Sequence, residues 1–157
     1  MTSARKSGRE APTLVTIALA GLAISIYLTA THANAVPLMC TAGSVVNCSS
    51  VTHSAYSVIP GTSISVSVLG VLWFLVSGAL ATVVWLGGRA GRSEPGWIRP
   101  FHLAWAGLAL LVVLYLVYVE IVILHQVCEW CTVVHLLVLT SFVLALRRVQ
   151  HADPSIG

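Results

Sequence analysis

Four stretches, about Pro12 to Thr31, Ile64 to Leu86, Phe101 to Leu124 and Cys131 to Leu146, are apolar over lengths that suit crossing a ~30 Å hydrocarbon core. The fourth is the shortest. Together they take up most of 157 residues, of which 57% are apolar and only 8% charged. A backbone in lipid must satisfy its own polar groups, so such stretches have to be helices. The expectation is an all-α integral membrane protein, a four-transmembrane-helix bundle forming a single membrane domain over 1–157. The third and fourth stretches are separated only by His125 to Trp130, which predicts a tight turn at the surface. The first two are joined by a longer polar loop, His32 to Ser63.

Charge orients the bundle. Arg5, Lys6 and Arg9 precede the first span, Arg89, Arg92 and Arg99 lie between the second and third, and Arg147 and Arg148 follow the fourth. The other two connections contain no Lys or Arg, so both termini are expected in the cytoplasm (N-in/C-in), with the 32–63 loop capping the outer side. A basic start, an apolar stretch and Ala33-Asn34-Ala35 also imitate a secretory signal with its cleavage site. The apolar run is about twenty residues, longer than a signal core of roughly 7 to 15, so an intact first helix is expected. The net charge of +3 belongs at the headgroup level, where anionic lipid attracts it, and points to membrane lipid and to no nucleic acid.

The four cysteines form two pairs on that outer face: Cys40 and Cys48 spaced C-x7-C in the loop, and Cys128 and Cys131 as a C-x-x-C opening the fourth span. Disulfides persist in an oxidising compartment, and two structural staples would account for the loop pair. Bridging residues three apart constrains the unfolded chain little, so the C-x-x-C suits thiol exchange better than stapling. At a helix N-terminus the free N–H groups and the dipole favour a thiolate on Cys128 and Cys131, while an ionised Glu129 between them would oppose it. Trp130 suits the interfacial aromatic belt. His135 lies four residues beyond Cys131, on the same helix face and one turn deeper, where it can donate a hydrogen bond to something bound beside that thiol or be satisfied by a neighbouring helix.

Other polar and aromatic residues carry weaker expectations. Glu120 lies near the outer end of the third span, and snorkelling or pairing with Gln126 is favoured over a proton-relay role. Tyr115, Tyr118, Trp73, Phe74 and Trp85 are read as bundle packing rather than pocket lining. His53 and Tyr56 belong to the capping loop near a pocket mouth, and His32 and His102 look interfacial. Two other classes of reading remain. The cysteines with His53, His125 or His135 could bind zinc or copper, although no second C-x-x-C or H-x3-H completes a ligand set. Alternatively the chain is a structural membrane subunit with stapled loops.

The motifs Cys40-x7-Cys48, Cys48-Ser49-Ser50-Val51, Ser54-x-Tyr56, Pro60-Gly61, Gly70 and Cys128-Glu129-Trp130-Cys131-x3-His135 resemble the bacterial branch of the vitamin K epoxide reductase family. The resemblance runs from the first outer loop into the fourth span. It implies a quinone-dependent thiol oxidoreductase in the cell membrane, a four-helix bundle around a quinone pocket near the outer surface. Cys131 then resembles the thiol beside the quinone, Cys128 its disulfide partner, Cys48 the loop cysteine that exchanges with Cys128, and Cys40 the one that meets the external substrate. His135 resembles the residue that hydrogen-bonds the quinone carbonyl, a Tyr in the animal enzymes. The animal enzymes' Asn for the other quinone oxygen falls at Val66, which cannot donate, leaving Ser65 or Ser67 as the nearest donors. DsbB-like quinone reductases also have four spans and four outer cysteines, but with the C-x-x-C in the first outer loop and the wide pair in the second.

The implied path runs from a separate thioredoxin-fold (DsbA-like) carrier to the Cys40–Cys48 disulfide, then by thiolate exchange to Cys128 and Cys131, and on to a quinone of the menaquinone or ubiquinone type, with no metal. An oxidising periplasm drains that path toward quinone, which would support disulfide formation in exported proteins; quinone or epoxide reduction as the main role is the alternative. Each exchange needs in-line approach of the sulfurs, so the loop must move between an outward and a docked state, which Gly43 and its small neighbours permit.

Overall fold

The structure, a computed structural model, describes residues 2–41 and 43–151, with side chains from residue 10 onward. The side chains of Arg5, Lys6 and Arg9, on which part of the charge argument rests, therefore lie outside the described residues. Five α-helices follow in order: α1 (Thr2–His32), the short α2 (Cys48–Thr52), α3 (Val66–Arg89), α4 (Ile98–Tyr118) and α5 (Glu129–Gln150). Four segments are long and apolar enough to cross a membrane, Glu10–His32, Val66–Arg89, Ile98–Ile123 and Glu129–Gln150. The protein is thus a multi-pass, all-helical membrane bundle. The helices outrun the apolar stretches at most ends, because backbone hydrogen bonding continues past the last hydrocarbon-compatible residue into polar caps.

Those caps are visible. Ser65 caps α3, its hydroxyl accepting from the Ser67 N–H at 3.3 Å. Ahead of it, Pro60-Gly61 makes a reverse turn in which the Thr62 N–H reaches the Ile59 carbonyl at 2.9 Å. Gly61 sits there at φ 80°, the left-handed region that a side chain would resist.

α1 packs chiefly along α3, and α4 along α5, with α1 also touching α5. Burying apolar surface offers no drive between helices in lipid, so close backbone approach has to supply the contact. Small residues make that possible on the α1–α3 seam. A Cβ on Gly70 would come within 2.8 Å of Ser25 Oγ, and one on Gly78 within 3.2 Å of Ala18 Cβ. A Cβ on Gly21 would overlap the ring of Phe74, itself fully buried. Gly21→Ala is therefore expected to destabilise the bundle by about 1–3 kcal/mol through overpacking. Thermal unfolding in detergent checks it, and adding Phe74→Leu should recover most of the loss; an unchanged midpoint for the single variant would contradict the seam.

The ends of the bundle differ in kind. At one end Glu94 receives Arg99 Nε at 2.9 Å and Arg148 Nη2 at 2.8 Å, tying the α3–α4 connection to the foot of α5. Arg89 lies over the Trp85 ring at 5.2 Å. His102, expected at the interface, is instead buried at 2% exposure on α4, because its position faces the bundle interior rather than lipid. The other end carries every cysteine.

Candidate active site

Local structure at the thiol end begins with the break between the last two spans. α4 does not end as an α-helix: Val119–Ile123 forms a π-type turn, in which the Leu124 N–H reaches back to the Val119 carbonyl at 2.9 Å. The wider turn shifts the side-chain directions of α4 just before the chain leaves it. Glu120 is carried inward and is only 5% exposed. The Gln126 N–H closes the connection on the Glu120 carbonyl at 3.0 Å, and His125 adopts φ 51°. The favoured expectation of a snorkelling Glu120 is thus replaced by an inward carboxyl. It meets the Cys131 thiol and the Cys128 backbone.

Cys128 is the N-cap of α5, its sulfur accepting from the Cys131 N–H at 3.4 Å. Both cysteines of the C-x-x-C are free thiols, Cys128 fully buried and Cys131 half-buried. The Cys131 thiol, hydrogen-bonded to Cys128, holds Cys128 below the ordinary thiol range, with help from the Cys131 and Trp130 backbone, while burial and the Glu120 carboxylate push the other way. The opposing acid is therefore Glu120, not the adjacent Glu129. A depressed thiol pKa means that the reactive thiolate persists below the ordinary titration range and is lost only as pH falls through the lowered value. In reduced protein bearing Cys48→Ala, the iodoacetamide reactivity of Cys128 should rise with pH at a lower pH than that of an unperturbed thiol. A rate profile that rises only above the ordinary thiol pKa would contradict this.

Glu129 has a different task. Its Oε1 accepts from the Thr41 N–H at 3.1 Å and its Oε2 from the Thr41 hydroxyl at 2.6 Å, clasping the loop beside Cys40. Trp130 Nε1 donates to the Met39 carbonyl at 2.6 Å, and Tyr27 Oη accepts from the Met39 N–H at 2.8 Å. The Asn47 N–H reaches the Val127 carbonyl at 3.1 Å, and the Val127 N–H reaches the Val45 carbonyl at 2.9 Å. These two bonds set Asn47 and Val127, each immediately preceding a cysteine, side by side.

The docked loop closes over a small core. Cys40 and Cys48 are joined in a disulfide, with Cα atoms 6.1 Å apart. Cys48, 1% exposed, packs with Val51 and Cys128, and Cys40, Leu38, Leu124, Trp130 and Cys131 pack around them. The sulfurs of Cys40 and Cys48 and a Glu129 oxygen lie within 4.8 Å of one another. In this state both sulfurs are taken up in the disulfide and the carboxylate is engaged by Thr41.

Beneath the cap lies a cavity of about 350 Å³ between the four long helices. That is room for one ring-sized headgroup, within the range of small-molecule sites. Cys131 opens onto it, and so do His135, Val66, Ser67 and Tyr56, the residues singled out from the sequence. Ser67 is already engaged, its Oγ 2.7 Å from Ser65 Oγ and 2.9 Å from the Thr29 hydroxyl. Val66, the first residue of α3, offers only an apolar wall. Trp73 and Phe74 line the same cavity, whereas Tyr115 and Tyr118 are outside it and exposed on α4. His32 also lines it, Nδ1 donating to the Thr52 carbonyl of the cap at 2.8 Å, with its ring stacked on His53 at 5.7 Å.

Missed from the sequence were the inward Glu120, the clasp by Glu129 and the role of His32 as a cap post. The inward direction of Glu120 had no local signal, since nothing in Tyr118-Val119-Glu120-Ile121 announces a π-type turn. A chemical inventory of the assembled end reads as one disulfide, one adjacent dithiol, and an apolar cavity that begins at the second thiol.

A family model described as the vitamin K epoxide reductase family matches residues 12–146. The match takes in both cysteine pairs and the lining of the cavity. No curated protein matches the chain.

Proposed function

The chain belongs to the vitamin K epoxide reductase family, membrane oxidoreductases acting on thiols and quinones, and from that premise we propose that it carries electrons from a thioredoxin-fold carrier to a quinone. The observation that carries the reading is the continuity of sulfur at the capped end. A loop disulfide and a C-x-x-C dithiol share one packed core, and the dithiol's second member opens on the cavity.

In this reading a carrier dithiolate attacks the Cys40–Cys48 bond at half-exposed Cys40, and the freed Cys48 thiolate exchanges with Cys128. Two electrons then rest on Cys128 and Cys131 while the loop disulfide re-forms. Cys40 and Cys48 are bonded to each other while Cys128 and Cys131 are free, the pairing that this step leaves behind. A quinone, when bound, supplies the two-electron acceptor. Cys131 lies beside it, His135 donates to one carbonyl, Val66 and the Trp73–Phe74 wall exclude water, and Tyr56 and Ser67 edge the mouth. The thiol end faces the outside of the cell membrane, as the basic residues of the other connections imply. DsbA-like proteins are the carrier class that fits a half-exposed disulfide on that side.

The test is quinone reduction in purified membranes by a reduced thioredoxin-fold protein, repeated with each cysteine changed singly to alanine. Loss at all four positions supports the relay. Loss only at Cys128 and Cys131 would make the loop pair structural and end the carrier part of the reading.

A further inference from the structure

We propose that Glu120 is the proton acceptor of Cys131, taking the thiol proton as the electron pair leaves and releasing it into the cavity. The proposal rests on the quinone-reduction reading above.

A carboxyl at depth in a membrane span is costly and persists where a partner or a task holds it. Glu120 is buried at 5% exposure, meets the Cys131 thiol and the Cys128 backbone, and lines the cavity together with Cys131. Among the described residues no lysine or arginine lines that cavity, so none of them accounts for the carboxyl. The ionisable residues that share the lining with it are Cys131 and His135 from α5, His32 from α1 and Tyr56 from the cap, with Cys128 at the start of α5 against its carboxyl; the described lining residues of α3 are not ionisable. His32 Nδ1 is tied to the Thr52 carbonyl, and His135 sits a turn deeper along α5. Glu120 is thus the one acid among the described lining residues, and it reaches the thiol directly. The π-type turn over Val119–Ile123 is what aims it there.

The chemistry balances with that assignment. The step starts from the ionisation state in which Cys128 is the thiolate and the Cys131 thiol is hydrogen-bonded to it, the state that the hydrogen bond from Cys131 favours. Forming the S–S bond breaks the Cys131 S–H bond, sends two electrons to the acceptor and frees one proton, which forms the O–H bond of Glu120. That proton passes to the reduced acceptor's oxygen, and the second one the acceptor takes up enters from the outer solution.

Two measurements test it on the full chain in lipid nanodiscs. In the first, without quinone, the C-x-x-C is cycled between dithiol and disulfide by a soluble dithiol couple while infrared difference spectra are recorded. A carboxyl C=O band that changes with the cycle in wild type and is missing in Glu120→Gln is expected. In the second, reduction of a short-chain naphthoquinone by a reduced thioredoxin-fold protein is followed. Glu120→Gln should lower kcat about a hundredfold, the scale of one lost general base, with the quinone KM within about twofold, and Glu120→Asp should recover part of the rate. A Glu120→Gln rate within about threefold of wild type, or no Glu120-dependent band, overturns the assignment. If Glu120→Gln does not fold, the wild-type band and Glu120→Asp decide in the same terms. Absence of quinone reduction in wild type itself would instead sink the relay reading, and this proposal with it.

Discussion

Cys131→Ala is expected to abolish quinone reduction by a reduced carrier, lowering the rate at least about a thousandfold, the scale on which losing a covalent nucleophile acts. Cys131 is the cysteine that opens onto the cavity, so no other sulfur can pass electrons into it without moving a helix. Cys128, fully buried and turned into the cap core, does not line it. Truncation to alanine removes one half-buried sulfur from α5 and leaves the Glu129 clasp, the Trp130 bond and the loop disulfide in place, so a folded, capped protein is expected. Thiol counting would verify that Cys40–Cys48 survives while turnover is lost. Membranes carrying Cys131→Ala that still reduced quinone at the normal rate would remove this residue from the path.

An equally large change is expected when Cys40 and Cys131 are both replaced by serine. Each remaining sulfur has lost its partner, and the two that remain, Cys48 and Cys128, pack in one core. The bonds joining Asn47 and Val45 to Val127 already hold their flanking backbones together. Near-complete formation of a Cys48–Cys128 disulfide is expected under mild oxidation, seen as a mobility shift that reductant reverses and as a cross-linked peptide by mass spectrometry. Disulfide geometry requires Cα atoms within about 7 Å, and the shared core of Cys48 and Cys128 is what favours that approach. Two free thiols persisting after oxidation would mean that the loop does not hand its electrons to α5 by this exchange.

Hydropathy made the four spans readable in advance, because lipid demands apolar length and that demand is written residue by residue. The positions at the C-x-x-C were readable for a similar reason: Cys131 and His135, four apart, share a helix face whatever the tertiary context. Val66, Ser67 and Tyr56 were indicated by family resemblance, and they share the cavity with Cys131 because α3 begins beside the cap. What could not be read depended on contacts distant in sequence. Glu129 looked like a brake on its neighbouring thiols, but Thr41, eighty-eight positions away, takes up its carboxylate. Glu120 and His102 looked able to reach water, and only the π-type turn and the packing of α4 decide that they do not.

The cap has one more consequence, for how two unlike substrates share a single protein. A soluble protein dithiol and a lipid-dissolved oxidant would react wastefully, or with the wrong partners, wherever they met. In the proposed relay the segment that receives the first also roofs the chamber for the second, tied to α5 through Thr41 and Met39 and to α1 through His32. That relay insulates the two half-reactions from one another in time. The carrier must discharge and depart before the charge moves inward, a double-displacement order whose kinetic mark is parallel lines in double-reciprocal plots. In the proposed relay the loop works less as a wire than as a turnstile, admitting one electron pair per swing.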